Sequence, residues 1–274
     1  MLSELITEVY EQTKQENSSE NSINITNKKT LNYGLEIEHF EVLSKTENMD
    51  IGHYSILNFK NLFYDISYQT YLIKHLAKTI KEYLNTLNTK KVLIVGLGNR
   101  HINADSLGAK VVSNIIVTSH IKGLKTLNSV SAIAPSVLGL TGIESFDIVK
   151  GVVNTIKPTL VIAIDSLCAV NESRLGTSFQ INNASIIPGG GVNNSRKVFD
   201  KNTLNCDFLS IGVPLIIYAN SFCKTPKKQL KNFVVTLKDI EEVSSICANI
   251  ISYSLNMALH DLTFTKTKEY LNKL

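Results

Sequence analysis

Four strand-like apolar runs, set apart by helix-length stretches, constrain this chain more than any other feature. They are KVLIVG at 91–96, SVSAIA at 129–134, TLVIAID at 159–165 and DFLSIGVP at 207–214. The first and third are almost continuously apolar, as a strand covered on both faces must be. Between them the pattern predicts a helix from about Asp105 to His120, and a second over GIESFDIVKGVVNTI. Thr141 and Glu144 have the spacing of a capping box before that second helix. Pro135 stops the second strand and Pro158 forbids further helix. Strands alternating with helices point to an α/β fold with a mostly parallel sheet covered by helices on both faces. A closing helix is predicted over 239–258.

Upstream the pattern changes. Tyr68, Leu72, Leu76, Ile80, Leu84 and Leu87 form one stripe and predict a helix over 67–88. Residues 35–64 alternate loosely, as a hairpin or edge strands would. Residues 11–32 are almost entirely polar and read as a flexible leader. The stripe Leu2, Leu5, Ile6 and Val9 before them is long enough for a turn or two of helix.

Composition narrows the function classes. With 274 residues, 43% of them hydrophobic, the chain has enough apolar material for a sizeable core. A net charge of +4 is weak support for nucleic-acid binding, and the basic run KTPKKQLK at 224–231 reads as a solvated loop. Cysteines 168, 206, 223 and 247 have no CxxC spacing and read as small apolar residues in a reducing compartment. No two histidines make an HxxxH pair. No apolar run approaches the roughly 18 residues of a membrane span. Glu4 and Glu8 interrupt the N-terminal apolar stripe, unlike a signal peptide, so a cytoplasmic location is expected.

The chemistry is expected beyond the carboxyl ends of the strands, where open α/β sheets bind ligands. Two acids occupy such ends. Asp165 terminates TLVIAID, and Asp105 follows KVLIVG by one loop. On neighbouring strands they would share a crevice, where two carboxylates compete for one proton. Such a pair supplies a base for water and an acid for a leaving amine. Each also has a plainer reading, Asp105 as a helix cap and Asp165 as a turn former. Gly96 and Gly98 match the first two glycines of a dinucleotide loop, but His101 stands where the third belongs. Gly189, Gly190 and Gly191 could cradle an anion through backbone N–H groups, although no GK[ST] follows them.

The segments VLIVGLGN with Asp105, VSAIAPSVLGLTGIES, KPTLVIAIDSLCA, Pro188 to Val192 with Arg196 and Lys197, IGVP and NMALH together resemble the germination protease family of spore-forming bacteria. The resemblance runs from about residue 90 to 220. It implies an endopeptidase for small acid-soluble spore proteins, working in the spore cytoplasm. It implies a fold similar to hydrogenase maturation proteases, with catalytic aspartates at Asp105 and Asp165. It further implies a homotetramer and a zymogen that cuts itself. No cofactor and no metal is carried over, and neither a nucleic acid nor a membrane is expected as a partner.

On this basis residues 1–34 are a leader and candidate pro-segment, and 35–274 a single peptidase domain. Leu35, Glu36 and Glu38 align with the processing region. Gly96, Gly98, Asn99, Thr141, Gly142, Glu144 and Gly189 to Gly191 are expected to shape the cleft. The chain departs from the family at Ala104, Ser119 and near Tyr218. Two other readings compete: a non-catalytic nucleotide- or anion-binding module, and a nickel-dependent maturation protease.

Overall fold

The structure, a computed structural model, describes residues 3–15, 22–46, 49–60, 65–121, 127–188, 197–223, 225, 227–230 and 233–273. Its elements are α1 (Ile6–Gln15), β1 (Ile23–Thr30), β2 (Glu36–Val42), β3 (Gly52–Asn58), α2 (Ile66–Leu84), β4 (Lys91–Gly96), α3 (Leu107–Val112), β5 (Ser129–Ile133), α4 (Leu138–Thr141), α5 (Ser145–Ile156), β6 (Leu160–Ala169), β7 (Ser178–Asn182), α6 (Lys201–Leu204), β8 (Asp207–Tyr218), β9 (Val234–Val235), α7 (Ile240–His260) and α8 (Phe264–Leu271).

The strands form one mixed sheet in the order β1-β2-β3-β7-β8-β6-β4-β5, with β9 clipped to β8. The run β5-β4-β6-β8 is parallel. The run β1-β2-β3-β7, together with its junction to β8, is antiparallel. The apolar runs therefore build one half of the sheet, and the loosely alternating N-terminal region builds the other.

Burial explains the apolar continuity. On β6, Leu160, Ile162 and Ile164 join the cluster that packs against α2, α3 and α7. Val161 and Ala163 face the opposite way, toward Val149 and Val153 of α5. Every other position except the half-buried Ser166 is buried too, so no polar alternation survives. The predicted stripe of α2 is buried at Tyr68, Leu72, Leu76, Ile80 and Leu84. Asp65 caps that helix, its carboxylate accepting from Ser67 N (2.8 Å) and Tyr68 N (3.2 Å).

Four differences from the sequence reading have physical reasons. The leader is largely regular structure: α1 buries Leu5, Ile6 and Val9 with Phe40, Val42, Tyr54 and Leu167. β1, INITNKKT, is polar because it is the sheet's edge, pairing among the described residues with β2 alone and exposed along most of its length. The helix expected to reach His120 stops at Val112. There the side chain of Asn256, on α7, takes over the backbone: its Oδ1 accepts from Ile116 N and its Nδ2 donates to Asn114 O, both at 2.9 Å. The capping box is not formed, for Glu144 is itself the N-cap of α5 and Thr141 ends α4, its Oγ1 accepting from Ile143 N at 3.2 Å. Finally, β6 and β8 run past the apolar motifs, to Ala169 and Tyr218, so Asp165 lies within a strand and not at its end.

Candidate active site

The candidate site lies at the step between β4 and β6. Their pairing ends with Gly96 opposite Ile164, and Leu97 N donates to Ile164 O at 2.9 Å. Beyond that point β6 continues alone on this edge, paired only with β8, where Asp165 lies opposite Gly212. Asp165 is therefore the first β6 residue past the end of β4. It is 9% exposed, and its Oδ1 accepts the N–H of Ser166 at 2.9 Å. Alternation along the strand sets it on the face of Val161 and Ala163, between the α5 and α1 clusters.

Asp105 reaches the same end of the sheet by a folded loop. Gly98 has φ +95°, and a β-carbon there would stand 2.1 Å from Asp105 O. The chain returns through Asn99 O, which accepts from Ile102 N, and Ile102 O, which accepts from Asp105 N. Asn99 N then donates to Asp105 Oδ2 at 2.8 Å, while Asn99 Oδ1 accepts from His101 N. The carboxylate is thus aimed back at the exit of β4, and the N-cap position of α3 belongs to Ser106. The helix-cap reading of Asp105 is replaced by a carboxylate held against its own loop.

The glycines serve the fold directly. A β-carbon on Gly96 would meet Gly108 O at 2.1 Å, so the start of α3 rests on the end of β4. Both Gly96 and Gly98 are therefore spent on protein backbone, and neither leaves its open face to a phosphate. Thr141, Gly142 and Glu144 lie in the turn after β5, one strand beyond β4; Thr141 and Gly142 are exposed. Gly189, Gly190 and Gly191 lie outside the described residues.

The residues that the resemblance aligns with a processing region lie in or beside β2. Leu35 is fully buried just before β2, and Glu36 pairs with Thr30. Glu38, also in β2, accepts a salt bridge from Lys28 at 2.7 Å.

Sequence reasoning overlooked the group that borders Asp165 on its far side. Glu4 N donates to Cys168 O at 3.0 Å, and Glu4 Oε2 accepts from Cys168 N at 2.7 Å. Glu8 accepts from Val170 N (2.9 Å) and Asn171 N (2.8 Å) and is bonded by Ser3 Oγ. Gln180, which lies in register with Gly212 and through it with Asp165, clamps the same segment. Its amide donates to Glu4 O and accepts from Ile6 N, each at 2.8 Å. The signal was present: two acids in an otherwise apolar stripe need buried partners.

Cysteine chemistry finds little footing here. Burial first, then the Glu4 and Glu8 carboxylates, push the Cys168 thiol up to about 12. Burial does the same for Cys247. Both stay protonated at neutral pH and are poor nucleophiles. Among the described residues no group of three or more His, Cys, Asp or Glu side chains is arranged to hold a metal. Among them, too, no helix is long and apolar enough to cross a membrane.

Comparison with known proteins decides the family. A family model described as Germination protease matches residues 3–230. The chain belongs to the germination protease family, a family of peptidases. The curated germination protease of Clostridium tetani is 32% identical over 83% of this chain and 85% of its own length. That of Caldanaerobacter subterraneus is 39% identical over 68% of this chain, and that of Bacillus subtilis 42% over 60%. The aligned regions span 61% and 47% of those two relatives. Among solved structures, a NiFe hydrogenase maturation protease from Thermococcus kodakarensis aligns at 18% identity and a TM-score of 0.40, over 65% of this chain and 98% of that one.

Proposed function

We propose that this chain is an endopeptidase that opens the degradation of small acid-soluble spore proteins at germination, with Asp105 and Asp165 as its catalytic pair. One observation carries the reading: β4 stops where Asp165 begins, and the loop leaving β4 folds back to present the Asp105 carboxylate at that same end. In this reading the pair works with one carboxylate ionised and the other protonated. The ionised member takes a proton from water, and the protonated member delivers one to the departing amine. Family membership supports a peptidase; the substrate, the paired aspartates, the homotetramer and the spore interior are part of the proposal.

The test is cleavage of a purified small acid-soluble spore protein. Asp105→Asn and Asp165→Asn should each lower kcat by at least a thousandfold while leaving the fold intact. Cleavage unchanged in either variant would falsify the pair. A nucleotide-binding module is disfavoured because both loop glycines are occupied by backbone; a shift in Tm on adding NAD would revive it.

The proposal includes a zymogen. Because Leu35, Glu36 and Glu38 lie in or beside a paired strand, self-processing there has to await opening of the β1–β2 ladder. Activated enzyme is expected to have lost its N-terminal segment, read by intact mass. Full activity with all 274 residues retained would overturn that part.

A further inference from the structure

The edge of β6 that faces the site carries an unusual arrangement of partners. Ile164 turns its carbonyl toward β4. Because backbone groups in a strand repeat every second residue, Ser166 and Cys168 present theirs to the same side, where β4 is no longer there to meet them. The register shift nearby leaves this alternation intact, since it skips a residue of β8 between Pro214 and Ile216 and none of β6. Carboxylates take the place of a neighbouring strand. Asp165 holds the Ser166 amide, Glu4 the Cys168 amide, and Glu8 those of Val170 and Asn171. At Cys168 the occupant even supplies a strand-like bond, Glu4 N to Cys168 O at 3.0 Å. Among the described residues, Ser166 Oγ is also buried without a hydrogen-bond partner.

We propose that the Ser166–Ala169 edge of β6 is the peptide-binding edge of this protein, where an extended substrate segment adds as a strand, displacing Ser3–Glu8 in the unprocessed chain and taking the vacated edge once that segment is removed. The proposal rests on the peptidase reading and specifies its substrate: an unfolded, extended segment recognised through its backbone. Substrate carbonyls take the N–H groups of Ser166 and Cys168, and substrate N–H groups take the carbonyls of the same residues. When a substrate carbonyl takes the Ser166 amide, Asp165 Oδ1 is released from its own backbone beside the bound peptide. Proline cannot occupy the substrate positions that must donate.

Amide hydrogen exchange on full-length Asp105→Asn protein, with saturating small acid-soluble spore protein as the probe, tests this. Exchange at Ser3–Val9 should accelerate at least tenfold while Ser166–Asn171 stays slow. Unchanged exchange at Ser3–Val9 overturns the proposal. Should the variant fail to fold, a millisecond labelling pulse on wild type before turnover gives the same reading. An N-methyl scan along a substrate peptide should show at least tenfold loss of cleavage at alternate residues, and uniform tolerance overturns strand addition. The two readings fail separately. Cleavage by wild type without release of Ser3–Val9 retains the peptidase and rejects the edge, whereas release without cleavage does the reverse.

Discussion

The two halves of the sheet share one apolar cluster on the α2 and α7 face and differ on the other. The parallel half, β5-β4-β6-β8, lies between α2, α3 and α7 on one face and α5 on the other, and nearly every contact there is apolar. The antiparallel half ends in the exposed β1; α1 packs on it through an apolar cluster and through Gln180 of β7, while Glu4 and Glu8 reach across to the end of β6. The difference teaches where this molecule can yield. Apolar burial is lost gradually as groups separate, whereas a buried carboxylate on backbone amides holds until it is replaced by equivalent acceptors.

The strongest way to break the contrast is at the joint of β4 and α3. Gly96→Ala puts a methyl 2.1 Å from Gly108 O, so the helix has to move. A loss of about 3–5 kcal/mol in urea unfolding is expected, with the whole domain responding. Wild-type stability would show that α3 is free to shift. Glu8→Ala should cost less, about 1–3 kcal/mol, by stranding the Val170 and Asn171 amides. Here the damage should stay local, with exchange rising at Ser3–Gln15 and not in α7. A global fall in protection would erase the distinction between the halves.

Acid sharpens the comparison differently, because each half contains a histidine that burial holds neutral. His39 and His260 have pKa values lowered from 6.5, burial being the main cause in both. The unfolded chain therefore takes up the proton first. Stability is complete above pH 6.5 and declines as pH falls through that value until the lower folded-state values are reached. Unfolding curves at pH 7.5 and 5.5 should show the decline, and His260→Asn and His39→Asn should each remove a part of it. A flat profile in wild type contradicts the argument. The smallest effect belongs to Lys28–Glu38, whose lysine is half exposed. A double-mutant cycle should give about 0.5 kcal/mol of coupling, and more than about 2 kcal/mol would mark β1 as firmly held.

The same contrast governs what the sequence disclosed. Strands such as VLIVG and TLVIAID announce themselves because burial on two faces admits only apolar side chains. Asp105 and Asp165 stood out as acids next to such runs, and the fold puts both at the step between two adjacent strands. β1 stayed hidden because an edge strand with solvent on both faces has the composition of a loop. The end of α3 was invisible for another reason: the residue that unwinds it, Asn256, lies 142 positions downstream of its partner Asn114. Glu4 and Glu8 were noticed as interruptions of an apolar stripe, but nothing local shows which amides they seek.

The grip of Asn256 also orders events during synthesis. The loop that aims Asp105 leads directly into α3, and the turn that follows α3 is clasped at Asn114 and Ile116 by an amide on α7. A nascent chain emerging from the ribosome carries both acids long before it carries that clasp. That turn therefore gains its clasp only once the last long helix has been translated and docked.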